Sequence, residues 1–439
     1  MEELKRENFK NGFILGVATS AYQIEGACQK DGKGPSIWDE FCHKKGNIRN
    51  NDTGETACDH YRLYKEDVAL IDWLGVDSYR FSVSWPRVIP NGKGPVNLKG
   101  VDFYDRLVDA LLEKGISPVL TLYHWDLPAA LEGGWLNRDT VMAFVEYAII
   151  VAKKLGDRIS MWFTHNEPWC QAFLGYERSL FAPGHASLKE ALLCAHHLLL
   201  SHGLATQALR SYTKSHIGPA LNLVPAHPAS NKTVDIAAAR RFDGYLNRWF
   251  VEPIAGKGYP EDMAARYGRL MPAFPESDMA IIAEPVDIMG VNYYEREIIA
   301  DSNVGPLNFL IADRPGPRTA DREIYPEGLS EVLTRLHAEY GFNNLIVTEN
   351  GAAFNESPNN SGIVEDHERV GFFIAHLKEV RYLQSKGIPV NGYFIWSLMD
   401  NFEWAEGYSR TYGVTHVDFT TQKRTPKKSA HFIRSLSAK

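Results

Sequence analysis

Two short motifs hold the residues best suited to chemistry. Thr164-His165-Asn166-Glu167-Pro168 and Val347-Thr348-Glu349-Asn350-Gly351 each end an apolar run, and their glutamates stand 182 residues apart. A carboxyl that stays protonated and another that stays ionised are the pair needed to break a glycosidic bond through an oxocarbenium-like transition state. One Glu beside Pro or Gly is ordinarily a turn or helix-start residue, so neither motif is decisive alone. The flanking residues change that reading. The runs from 159 to 164 (ISMWFT) and 345 to 348 (LIVT) are short, β-rich and apolar, as in buried parallel strands, which places each Glu just past a strand's carboxyl end. In an α/β barrel, catalytic groups gather on that rim.

The elements needed to position such a pair recur along the chain. Strand patterns fall near 14–19, 78–83, 117–122, 159–164, 217–223, 286–292, 345–348 and 391–397. Helical patterns lie between them, as over Asp102 to Lys114, Thr140 to Leu155, Leu188 to Ser211, Leu329 to Tyr340 and His367 to Lys386. Strand then helix, eight times, predicts an α/β fold: a single (β/α)8 TIM barrel with loop insertions at the C-terminal face of the strands. Segments 24–55 and 293–326 are too long and too rich in turn residues for plain connections, and are expected to wall the pocket. No linker, repeat or low-complexity tract interrupts residues 1–439, which read as one domain.

Composition narrows the function classes. Hydrophobic residues make up 44% of the chain and aromatics 12%, enough for a large core, and ten Trp exceed what packing alone ordinarily uses. A net charge of −7 gives no reason to expect nucleic acid or an anionic membrane as partner. The start, Met1-Glu2-Glu3-Leu4-Lys5-Arg6-Glu7, lacks the apolar core of a signal peptide, and no apolar run reaches a membrane span, so a cytoplasmic protein is expected. The five cysteines, Cys28, Cys42, Cys58, Cys170 and Cys194, form no CxxC pair and read as free, mostly structural thiols. His196-His197 lack the i, i+4 spacing of a zinc site, and no GxGxxG or P-loop is present, so neither metal nor cofactor is expected.

The longer signatures carry a resemblance. Phe13 to Gly26 (FILGVATSAYQIEG), Tyr79 to Arg87 (YRFSVSWPR), Tyr123 to Pro128 (YHWDLP), both Glu motifs, Asn292-Tyr293-Tyr294 and Trp396 to Trp404 (WSLMDNFEW) stand in the order found in glycoside hydrolase family 1. The chain resembles the β-glycosidases of that family nearly end to end, and the bacterial β-glucosidases most. The resemblance implies Glu349 as nucleophile and Glu167 as general acid/base of a retaining enzyme. It also implies Arg80 and Tyr294 as supports that favour ionised Glu349, with Glu167 starting protonated. By the same resemblance Gln23, His124, Trp125, Asn166, Glu403 and Trp404 bind the sugar and Trp396 is its stacking platform. Asn166 is expected at the 2-hydroxyl, where contacts strengthen in the transition state.

The implied substrates are β-glycosides or short oligosaccharides, with glucose favoured and galactose and fucose as side activities. The implied assembly is a monomer or homo-oligomer. A carboxylate at Glu403 suits free 4- and 6-hydroxyls and is expected to repel a 6-phosphate. Pro168 is expected to stiffen the chain after Glu167, and Gly351 to supply a positive φ beside Glu349. Two positions depart from the family pattern: Asp321-Arg322 stand where Gly-Trp is usual on the leaving-group side, and His165 stands where an apolar residue is usual. His165 is read either as packing or as a polar neighbour of Glu167. A carbohydrate-binding barrel without catalysis and a transglycosidase remain as rival readings.

Overall fold

The computed structural model describes residues 4–354, 356–359 and 361–438; Met1, Glu2 and Glu3 of the charged N-terminal stretch lie outside them. Eight parallel strands close a barrel: β1 (Ile14–Ala18), β2 (Ser78–Ser82), β3 (Ser117–Tyr123), β4 (Met161–Asn166), β5 (His216–Asn222), β6 (Met289–Asn292), β7 (Leu345–Asn350) and β8 (Val390–Trp396). Each pairs with its successor and β8 returns to β1, with Ala18 opposite Trp396. All eight predicted strands are present. Helices His60–Leu74, Leu98–Glu113, Asp139–Leu155, Leu188–Leu209, Thr233–Asp243, Glu327–Tyr340, His367–Ser385 and Lys428–Ser437 lie on the outside. The first and sixth stop at Gly75 and Gly341, whose φ of 70° and 74° places them in the left-handed conformation that ends helices.

The period-two alternation of each strand sorts its side chains between two cores. Leu15, Val17, Tyr79, Phe81, Leu120, Trp162, Val347, Tyr393 and Ile395 face the helices. Ala18, Val119, Met161, Phe163, Ile346, Phe394 and Trp396 fill the barrel. Arg80, between Tyr79 and Phe81, therefore points inward, its guanidinium carbon 5.4 Å from the Phe163 ring centre.

The alternation breaks in the two strands that carry the Glu motifs. In β4 the pairing with β5 slips between Phe163 and Asn166. Thr164 and His165 both face the helix Leu188–Leu209, reaching His202 at 2.7 Å and Ser201 at 2.9 Å, and Asn166 returns inward. In β7 the slip falls between Val347 and Asn350. Thr348 and Glu349 both face the barrel axis, and Asn350 turns outward to donate to the Tyr293 carbonyl at 2.7 Å. Such irregularities re-aim side chains, often beside active sites.

Of the two predicted insertions, 293–326 lines the cavity at the strand ends. It contributes strands Glu297–Asp301 and Phe309–Ile311, which join Ala226–Pro228 in a three-stranded sheet. Segment 24–55 backs the wall instead: Trp38 packs on Trp404 with ring centres 4.5 Å apart. The wall also draws on 169–181 and 224–246, which the sequence patterns did not single out.

Candidate active site

Glu167 and Glu349 both line a cavity of about 230 Å³ at the C-terminal ends of the strands. Glu167 lies just past β4, as expected, whereas Glu349 lies inside β7, one residue before its end, because the slip turns it inward early. Glu167 has a φ of 45°, unusual for a residue with a Cβ, and its amide is tied to the Ala220 carbonyl at 2.8 Å. Pro168 follows directly. Gly351 does not adopt positive φ; it is needed for space, since a Cβ there would come within 1.7 Å of the Trp396 carbonyl oxygen.

A chain of hydrogen bonds joins the two carboxyls. Arg80 donates from Nη1 to Glu349 Oε1 at 2.7 Å and from Nη2 to Asn166 Oδ1 at 2.7 Å. Asn292 Nδ2 donates to the same Asn166 oxygen at 3.0 Å and to Glu167 Oε1 at 2.7 Å. The other oxygens have different partners: Tyr294 donates to Glu349 Oε2 at 2.7 Å, and the Cys170 thiol to Glu167 Oε2 at 3.1 Å. Arg80 and Tyr294 thus sit where the resemblance implied. Asn292 and Cys170 were not singled out. Asn292 ends β6 and opens the quoted Asn-Tyr-Tyr signature, which was the available signal; nothing in the sequence separates Cys170 from the other buried thiols.

Burial pushes Glu349 up to about 7, Arg80 pulling against it; the charge of Glu167 raises it further and the Tyr294 hydroxyl lowers it. The two supports favour ionised Glu349 without outweighing its burial. Burial likewise pushes Glu403 up to about 8, with Arg322 opposing. That burial favours the neutral form of Glu403 and so weakens the charge repulsion expected against a 6-phosphate. The nearby Glu349 carboxylate remains to disfavour one.

The sugar-binding candidates form two layers. His124, Trp125, Asn166, Trp396, Glu403 and Trp404 line the cavity. Gln23 is wholly buried behind it, accepting from Ser20 Oγ at 2.6 Å and donating to Asn401, the Phe402 carbonyl and Glu403, the last at 3.2 Å. Gln23 thus backs Glu403 as Arg80 backs Glu349. The His124 ring lies 19° from parallel with Trp396 and 17° from parallel with Trp404, giving a continuous aromatic floor. Trp125 fixes the Asn166 carbonyl through Nε1 at 2.8 Å.

The state of His124 follows from its neighbour. Asn166 Oδ1 accepts two bonds, so its Nδ2 is the group that donates to His124 Nε2 at 3.1 Å. Burial and Arg80 hold the ring neutral, which places the proton on Nδ1, and that atom has no hydrogen-bond partner.

His165 takes no part. Its ring stacks on Phe144 with centres 4.6 Å apart, and burial keeps it neutral, so the packing reading holds. His196 and His197 point apart, to Asp278 and to the Trp135 carbonyl. Among the described residues no group of His, Cys, Asp and Glu is arranged to hold a metal ion.

The family model for glycosyl hydrolase family 1 matches residues 5–439. The chain belongs to glycosyl hydrolase family 1. Within that family it is 42% identical to β-glucosidase A of Acetivibrio thermocellus, over 99% of each chain. It is 43% identical to β-glucosidase A of Thermotoga maritima, over 98% of each. The solved family 1 β-glucosidase from Thermotoga maritima superposes with a TM-score of 0.97 at 42% identity, covering 100% of this chain and 98% of that one. A structure of the Thermotoga maritima enzyme with deoxynojirimycin matches with a TM-score of 0.94 at 42% identity, over 98% of each chain. This family 1 glycoside hydrolase has no helix, among its described residues, long and apolar enough to cross a membrane.

Proposed function

We propose that this chain is a retaining β-glucosidase that removes terminal, non-reducing β-D-glucosyl residues from small β-glucosides and short oligosaccharides. The observation that carries the reading is the unequal support of two carboxyls on one cavity. Arg80 and Tyr294 reach Glu349, whereas an amide and a thiol reach Glu167. Glu349 attacks the anomeric carbon while Glu167 gives its proton to the leaving oxygen. The resulting ester neutralises Glu349, and Glu167 then takes a proton from the water that releases the sugar. Asn166, held by Arg80 and Asn292, lines the cavity with its Nδ2 on His124 Nε2 and is our candidate for the 2-hydroxyl.

The glucose preference follows the relatives' names, and galactosides and fucosides are proposed as slower substrates. Short β-glucosides from cellulose breakdown fit this specificity. Five free thiols, four of them buried, suit a reducing compartment, and we place the enzyme in the cytoplasm as a single catalytic domain.

Proton NMR of aryl β-glucoside hydrolysis tests the reading. β-Glucose should be the first anomer released, before mutarotation. α-Glucose first would mean inversion and would remove Glu349 from the nucleophile's role. Faster turnover of a 6-phosphoglucoside than of the plain glucoside would overturn the substrate assignment.

A further inference from the structure

The chain holds four Asn-Gly pairs, beginning at Asn11, Asn91, Asn350 and Asn391. A pair of this kind can modify itself. The backbone nitrogen of the glycine attacks the side-chain amide carbon of the asparagine, a C–N bond forms, and ammonia leaves. Water then opens the cyclic imide at one carbonyl or the other, giving aspartate or an isoaspartate whose main chain runs through the former side chain. Glycine permits the attack because it has no Cβ in the way and a backbone that turns freely. The attack also needs a glycine N–H released from hydrogen bonding and an asparagine amide free to swing onto it.

The fold withholds those conditions from three of the pairs. Asn350, beside Glu349, is fully buried; its Nδ2 donates to the Tyr293 carbonyl at 2.7 Å and its Oδ1 accepts from the Tyr393 hydroxyl. Asn391 Nδ2 donates to Asn344 Oδ1 at 2.9 Å, and Gly392 is held in β8 between Ile14 and Ile346 of the neighbouring strands. Asn91 is exposed, but Gly92 is buried and its N–H donates to the Ile89 carbonyl at 2.8 Å. A Cβ on Gly92 would come within 2.4 Å of the Leu131 side chain, so its backbone is packed in place.

The fourth pair is open. Asn11 and Gly12 are both exposed, at the tip of a turn closed by the Phe13 N–H on the Lys10 carbonyl at 3.0 Å. Among the described residues, neither the Asn11 amide nor the Gly12 N–H has a hydrogen-bond partner. Gly12 has a φ of 80°, and nothing beyond its chain neighbours lies within 4 Å of where a Cβ would stand. We propose that Asn11 is a self-modification site, converted to aspartate and isoaspartate in the folded protein, and that the fold spares Asn91, Asn350 and Asn391. The turn precedes β1, at the end of the barrel opposite the catalytic cavity. Conversion there adds a negative charge, and in isoaspartate a backbone atom, without reaching Glu167 or Glu349. At Asn350 the same reaction would lengthen the chain one residue past Glu349, and the bonds to Tyr293 and Tyr393 prevent it.

The test incubates the full chain in mildly alkaline buffer, folded and unfolded in urea, and follows all four pairs by peptide mapping with mass spectrometry. An isoaspartyl methyltransferase with labelled S-adenosylmethionine reports the isoaspartate separately. In the folded protein Asn11 should convert about tenfold faster than each of the other three, or more, and in urea the four rates should draw together. Asn11→Ser should remove most of the methyl acceptance, and Asn11→Asp should hydrolyse an aryl β-glucoside as the wild type does. Conversion of Asn91, Asn350 or Asn391 as fast as Asn11 in the folded protein would overturn the proposal. So would methyl acceptance that survives undiminished in Asn11→Ser. Activity that falls in step with Asn11 conversion, while the other three pairs stay intact, would overturn the separation of this turn from the cavity.

Discussion

Glu349 and Glu167 are the same residue type on the same cavity, yet their surroundings differ in kind. Both oxygens of Glu349 accept short bonds, one from the Arg80 guanidinium and one from the Tyr294 hydroxyl. Both oxygens of Glu167 accept from neutral groups, the Asn292 amide at 2.7 Å and the weak Cys170 donor at 3.1 Å. Hydrogen bonds to an ionised partner are roughly twice as strong as neutral ones. We assign the negative charge to Glu349 because its donors include the charged Arg80 guanidinium, and Glu167, with neutral donors only, is our proton donor. On this proposed assignment the donors around each carboxyl set its role, and changing those donors should redistribute the roles.

Removing the carboxyls themselves gives the largest effects. Glu349→Ala should lower kcat by about 10⁴-fold or more, because no glycosyl ester can form. Glu167→Ala should cost about 10²-fold with an aryl glucoside, whose leaving group departs with little help, and more with cellobiose, which needs the proton. Azide separates the two. In Glu349→Ala it should enter the vacated face and give the α-glucosyl azide; in Glu167→Ala it should attack the ester and give the β-azide. NMR of the products decides, and exchanged anomers would exchange the roles.

A smaller change sharpens the comparison on the Glu349 side. Tyr294→Phe removes one donor and leaves Arg80 in place. A bond to a charged acceptor is worth about 1.5–3 kcal/mol, so kcat/KM should fall roughly 10- to 100-fold. The Tyr294 bond lowers the pKa of Glu349, which burial has already pushed up to about 7. Losing that bond raises it further. Because the nucleophile must be ionised, the acid limb of the kcat/KM profile should move to higher pH, with more activity lost at pH 6 than at pH 8. An acid limb that moves to lower pH would contradict the assignment.

The same pair of strands shows what the sequence could and could not disclose. Periodicity located all eight strands, because buried parallel strands form short apolar runs that little else in the chain imitates. Arg80, which the resemblance and not periodicity singled out, obeys strict alternation inside β2. Alternation fails in β4 and β7, where two successive residues share a face: Thr164 and His165 outward, Thr348 and Glu349 inward. A slip of one residue is a backbone event set by pairing with neighbouring strands, so no local pattern announces it. That is why His165 could be read as a neighbour of Glu167 when it is packing, and why Glu349 lies within its strand rather than past it. Gln23 shows a second limit: its residue type suits a sugar hydroxyl, but the partners that occupy its amide come from residues 401–403, far along the chain.

The smallest predicted effect lies on the Glu167 side. Cys170 sits in the π-helical segment Cys170–Glu177 that follows Glu167, and its thiol donates to Glu167 Oε2 at 3.1 Å. An S–H group is a weak donor, and burial raises the thiol well above its ordinary pKa, so it stays protonated and supplies no charge. Cys170→Ala should therefore lower kcat/KM by no more than about threefold, and Cys170→Ser, with a stronger O–H donor, should do no worse. Both are measured with an aryl glucoside and with cellobiose, since a fault in proton donation appears first with the poorer leaving group. If Cys170→Ala costs as much as Tyr294→Phe, the thiol is an essential orienting group for Glu167. The asymmetry between the two carboxyls would then rest on geometry rather than on the charge of their donors.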